Sequence, residues 1–193
     1  MDEMIELFSV EGLQKKAAIF DTQKLEWMNG QHLSLIPIEQ LEPTVTKAIV
    51  AAGLTTAADL ESRKDWYLQL LELLRVRART IDDIVRQAGP YFLDEIAYDP
   101  DAVAKQWKNP EEARSLLESA GQALQKLSSW SVQELETALR SLAEERGIGA
   151  GKIFQPLRVA LTGLTVSPGI FEVLAIMGRE RALTRIAQAL TKL

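Results

Sequence analysis

The sequence predicts an all-α protein, a bundle or cage of helices. Apolar residues recur at helical spacing along almost the whole chain, with few alternating β-branched runs. Capping residues precede these stretches and glycines follow them, as helix ends require. The composition, 47% hydrophobic and 25% charged over 193 residues, is that of a soluble globular chain long enough to bury a core.

Asp21 is placed to N-cap "TQKLEWMNGQHL", whose apolar positions are Leu25, Trp27, Met28 and Leu33. Pro37 opens "IEQLEPTVTKAIVAAG" and Gly53 stops it. In "KDWYLQLLELLRVRA" one stripe carries Trp66, Leu70, Leu73 and Leu74. Thr80 with Asp82 and Asp83 starts the next helix, acids suiting the positive end of its dipole, and Gly89-Pro90 ends it. Pro110 begins a helix that runs to about Lys126. "SVQE" (131–134) fits a capping box before "LETALRSLAEERG", which Gly147 terminates. Pro156 is expected in the first turn of a helix closed by Gly163, and "SPG" (167–169) makes a rigid turn. Two last helices lie around 171–177 and 179–190. The acidic, Pro-bearing "LDEIAYDPD" is the expected internal boundary, between helical units 36–97 and 98–193, with a leading segment 1–35.

Composition also excludes functions. Without cysteine there is no disulfide framework and no thiol nucleophile. One histidine, His32, leaves no two-histidine metal site and disfavours a Ser-His-Asp triad. No run is long and apolar enough to span a bilayer, the start Met1-Asp2-Glu3 lacks a signal-peptide pattern, and a cytoplasmic location is expected. Phosphate-loop, dinucleotide and zincin motifs are missing. Paired acids such as Glu111/Glu112 and Glu144/Glu145 read as exposed helical charges, and Trp66, Trp107 and Trp130 as core or rim. The net charge of −5 argues against an obvious nucleic-acid binder, yet arginines cluster at 75–86 and 179–185, so a local basic face is compatible with it.

In "KIFQPLRVALTGLTVSPGIFE" (152–172) the one charge between the ends is Arg158. It stands near a turn and a helix N-terminus whose free N–H groups suit phosphates or base acceptors. From pattern alone two readings stay open: a receptor for an unstacked RNA base, or an arginine that caps carbonyls or pairs with Glu172.

Three stretches resemble bacterial glutamyl-tRNA synthetases, in that family's order. "IFDTQKLEWMNGQHL" (19–33) looks like the segment that follows their KMSKS loop; "LLRVRARTIDDI" (73–84) is similar to the arginine-bearing part of their anticodon-binding region. "QPLRVALTG…SPGIFEVLAIMGRERALTRI" (155–186) is similar to their C-terminal signature. The resemblance implies recognition of the tRNA(Glu) anticodon loop, with Arg77, Arg158, Ser167, Pro168 and Ile170 at anticodon-contacting positions. It also implies a catalytic domain as partner, which holds ATP and magnesium, and no cofactor on this stretch. "LQKKAAIFD" departs from the Ser-Lys-Ser-like run usual before the FD motif. The alternative is a free-standing helical interaction or regulatory module that keeps the fold without binding RNA. Because the sequence contains neither a HIGH nor a KMSKS motif, this chain alone is expected to catalyse no glutamate-dependent ATP–pyrophosphate exchange, with or without tRNA. Exchange above a heat-killed control would contradict that expectation.

Overall fold

A computed structural model describes residues 5, 6, 9 and 19–193. The readings made on Met1-Asp2-Glu3 and on 13–18 of "LQKKAAIFD" lie outside the described residues. Among the described residues the elements from 22 onward are all α-helices: α1 (Thr22–Leu35), α2 (Ile38–Ala51), α3 (Ala57–Ser62), α4 (Lys64–Arg75), α5 (Ile81–Phe92), α6 (Pro100–Gln106), α7 (Pro110–Gln125), α8 (Val132–Glu145), α9 (Gly151–Thr162), α10 (Ile170–Met177) and α11 (Arg179–Leu190). None of them is long and apolar enough to cross a membrane.

Caps form at the expected residues, though at Ser131 only one half of the expected capping box is made, the Glu134 side chain not returning to the Ser131 N–H. Asp21 accepts from the Lys24 N–H at 3.1 Å and Ser131 from the Glu134 N–H at 3.3 Å. Thr80 and Asp83 make a full reciprocal capping box, each side chain taking the other's N–H at 3.1 Å. Such caps satisfy donors that the first helical turn leaves unpaired. Helices α3 and α6 carry no sequence expectation because six and seven residues are too short to show a period.

Two prolines are placed differently from expectation. Helix α5 runs through Gly89-Pro90 to Phe92. Gly89 has no Cβ to clash with the proline ring, which lowers the usual penalty on the preceding residue. Gly89, Pro90 and Tyr91 are all buried, so packing secures the extra turn. Helix α9 begins at Gly151, which puts Pro156 in its interior rather than in the first turn. The carbonyl that loses its partner belongs to Lys152, an exposed residue. The ring of Pro156 is buried, and its own carbonyl accepts the Trp107 indole N–H at 3.3 Å.

Two sets of helices share one continuous core. Helices α2, α4 and α5 pack together around Tyr67, Leu70, Leu71, Leu74 and Ile84, all fully buried. Helix α11 packs on α7 and α9, and α7 on α8. Helix α10 lies between α8 and α4 and so joins the sets. The tryptophans belong to this packing. Trp66 donates to the Ile176 carbonyl at 2.9 Å and Trp130 to that of Leu174 at 2.8 Å. Helix α1 is less embedded: of its expected apolar positions only Leu33 is buried, while Leu25, Trp27 and Met28 are exposed.

A second join is backbone on backbone. Gly163 closes α9 at φ +72, the left-handed region, and its carbonyl accepts the Asp99 N–H at 2.9 Å. A Cβ at Gly163 would overlap the Ala97 carbonyl oxygen. Gly163→Ala therefore adds a clash to left-handed strain, which by itself costs a non-glycine residue about 1–3 kcal/mol. Gly53 has φ +70 with nothing within 4 Å of a built Cβ, so Gly53→Ala is the matched control. In urea titrations Gly163→Ala is expected to lose clearly more stability than Gly53→Ala. Equal losses would show that the Ala97 contact yields freely.

Candidate nucleic-acid interface

The loop after α4 carries three arginines in five residues, and the fold treats them differently. Arg75 pairs with Glu72 at 2.7 Å and donates to the Ile36 carbonyl. Arg79 reaches Glu26 at 3.6 Å. The Arg77 side chain is exposed and makes no hydrogen bond or ion pair among the described residues.

Arg77 stands on a firmly held backbone. Behind it, one Asp83 oxygen accepts the N–H groups of Arg79 at 3.0 Å and Thr80 at 3.1 Å. Partial burial pushes the Asp83 carboxyl up, but these donors, the Thr80 hydroxyl and the Arg86 charge outweigh it, and its pKa lies below the ordinary value. In front, α1 closes against the same loop. The Asn29 side-chain amide donates to the Arg79 carbonyl. A Cβ at Gly30 would stand 3.2 Å from the Ala78 carbonyl oxygen, tighter than most side chains allow. "MNG" is thus a packing joint beneath the arginine loop. No periodicity announces that role; the Asn-Gly pair inside a helical stretch is the one signal that could have pointed to it.

Arg158 comes from α9 and reaches the "SPG" turn. Its Nη1 donates to the Ser167 carbonyl at 3.1 Å, to the Ser167 hydroxyl and to the Pro168 carbonyl. Of the two structural roles expected for it, carbonyl capping is realised and a direct pair with Glu172 is not. Burial, then the nearby Arg77 charge, pull the Arg158 pKa below its ordinary value; Tyr91 and Glu172 oppose them. Arg77, distant in sequence, thus contributes a repulsive field at Arg158. The remaining guanidinium nitrogens, Nε and Nη2, have no protein acceptor among the described residues.

The other expected contact residues face inward. Ser167 is buried and its hydroxyl donates to the Pro168 carbonyl at 3.1 Å. Pro168 and Ile170 are buried as well. What the turn presents outward is Val166, which is 59% exposed, and Gly169. The N-terminus of α10 is not an open anion site either: the Glu172 carboxylate folds back so far that a Cβ at Gly169 would overlap it. Beneath the site, the Tyr91 hydroxyl is buried with no hydrogen-bond partner; burial pushes it well above the usual phenol range and Arg158 opposes the shift.

An exposed guanidinium and a half-buried one, on braced backbones beside a small turn, suit a base edge better than a phosphate backbone. Comparison with known proteins identifies the family. The family model for the anticodon binding domain matches residues 38–190. A glutamate–tRNA ligase of Koribacter versatilis is 36% identical over 188 residues, which cover 97% of this chain and 38% of that protein. One from Syntrophus aciditrophicus is 39% identical over 186 residues, again covering 38% of its length. The crystal structure of a glutamate tRNA ligase from Elizabethkingia meningosepticum superposes with a TM-score of 0.75 at 29% identity, covering all of this chain and 36% of that one. This chain thus spans well under half the length of the relatives it matches, and within that span it belongs to the anticodon-binding domain family of the glutamate–tRNA ligases.

Proposed function

We propose that this chain reads the anticodon loop of tRNA(Glu) on behalf of a glutamate–tRNA ligase catalytic domain. The single observation that carries the reading is the match of the anticodon binding domain over residues 38–190; within it Arg77 is exposed and free of any ion pair among the described residues, and Arg158 reaches the "SPG" turn. Ser167, Pro168 and Ile170 act through the turn they build: they fix its shape while Arg158 offers its free edge.

The base chemistry is direct. Glutamate and glutamine anticodons differ at the third letter, C against G. The pairing edge of cytosine offers two acceptors, O2 and N3, whereas guanine offers donors at N1 and N2. A guanidinium has donors only, so it suits cytosine and meets guanine donor to donor. A net charge of −5 is compatible with this reading because the contact is local.

In a competition titration of the two anticodon stem-loops, the wild type is expected to prefer the glutamate loop. A bidentate base contact discriminates by roughly 1–3 kcal/mol, taking the DNA figure as a guide. Arg77→Gly should erase the preference, mainly by tolerating G. An unchanged ratio in the mutant would remove Arg77 from the interface, and absence of any RNA binding at low salt would favour the helical module without RNA affinity. Arg158→Ala is expected to weaken stem-loop binding and also to destabilise the protein. The charged hydrogen bonds it removes are worth about 1.5–3 kcal/mol each at most, measurable by urea denaturation. Lost stability with unaltered RNA affinity would leave Arg158 a purely structural residue.

A further inference from the structure

The Glu172 carboxylate is exposed, yet it does not point away into solvent. It lies back over Gly169, the residue that follows the two carbonyls held by Arg158. A full negative charge and a guanidinium edge thus flank one three-residue turn without pairing directly. No protein hydrogen bond to the Glu172 oxygens is present among the described residues, so its acceptors are free. A phosphate against Gly169 would meet this carboxylate anion to anion, which argues that the turn receives a base and not the RNA backbone. The base must then bring an N–H donor to the carboxylate and an acceptor to the arginine. Cytosine carries that pair on adjacent atoms, the N4 amine beside N3, and a carboxylate accepting from cytosine N4 is an established base-reading contact.

We propose that Glu172 is a specificity-determining residue of this site, accepting a hydrogen bond from the N4 amine of an anticodon cytosine whose N3 faces the Arg158 guanidinium. The proposal rests on the anticodon-reading function above. It extends that function, since the arginines account for the acceptors of cytosine and leave its amine unread. Glu172 supplies the complementary half, so an arginine and a glutamate together offer a donor and an acceptor much as a pairing guanine does. The field of Glu172 at Arg158, which favours the charged guanidinium, fits this closeness.

The test uses the full 193-residue chain and stem-loops bearing the anticodon CUC. At its first or its third letter, cytidine is replaced by the ribonucleoside of 2-pyrimidinone, which is cytidine without its amine and adds no bulk. The wild type is expected to lose about tenfold in affinity at one of the two positions, about the worth of one hydrogen bond to a charged group. Glu172→Ala should bind the normal loop more weakly and lose nothing further on replacement at that position. Glu172→Gln keeps the shape and a neutral acceptor, and its penalty should fall between the two; this variant decides the matter should the alanine protein melt early. Equal penalties in wild type and both variants, or no wild-type penalty at either position, would overturn the proposal while leaving anticodon reading intact. Failure of the wild type to bind the unmodified loop would overturn the anticodon-reading function itself.

Discussion

A buried arginine without a carboxylate sets the geometry of this molecule. Arg185, on α11, is 1% exposed. It donates to the carbonyls of Pro90, Leu93 and Asp94, the last two at 2.5 and 2.8 Å. A charge taken out of water needs several good acceptors, and the end of a helix has carbonyls without partners. The carbonyls answer the two terminal nitrogens of Arg185, though its Nε stays buried without a partner, and α11 is fixed to the C-terminal end of α5. That matters at a distance. The N-terminal end of α5 braces the loop bearing Arg77, and α11 packs on α9, which bears Arg158. Fixing α11 against α5 thus ties the helix that braces the Arg77 loop to the one packed on the helix bearing Arg158.

Around that pin, the fold separates residues that hold from residues that offer. Asp83, Asn29 and Gly30 hold the arginine loop; Ser167, Pro168 and Ile170 hold the turn. Arg75 and Arg79 are committed to partners. Arg77, the free edge of Arg158 and the Glu172 carboxylate are what remains on offer. Recognition of a base by a few polar groups requires that they not relax when it arrives, and a site on braced backbone meets that requirement better than one on a free loop.

Similarity to a synthetase family and the geometry of the site bear on different questions. The family match speaks for the class of partner, because it covers residues 38–190. The geometry speaks for the mode of contact. An N-terminus of α10 covered by its own carboxylate is a poor phosphate site, and three of the five residues matched to anticodon positions are buried. Their identity matters for the shape of the turn more than for contact through their side chains.

The sequence by itself determined nine of the eleven helices described from residue 22 onward and many of their ends; α3 and α6 were too short to show in it. Asp21, Thr80, Ser131, Gly147 and Gly163 act where their local chemistry says they should, because caps depend on residues within one turn. It also determined the family, since long ordered stretches such as 155–186 carry that resemblance. Helical spacing pairs Arg75 with Glu72 at i,i+3, but only the tertiary structure decided which of the other two arginines is free, because Glu26 claims Arg79 from a helix distant in sequence. Burial of Gly89, Pro90 and Tyr91 overrode the local stop signal and carried α5 onward. The inward turn of Ser167, Pro168 and Ile170 was likewise a tertiary outcome, whereas Glu172 folds back locally, over the residue that begins its own helix. The physical reason is common to them all: a helix end is a local contest among neighbours in sequence, whereas exposure, pairing and approach are settled by segments that meet only when the chain closes on itself.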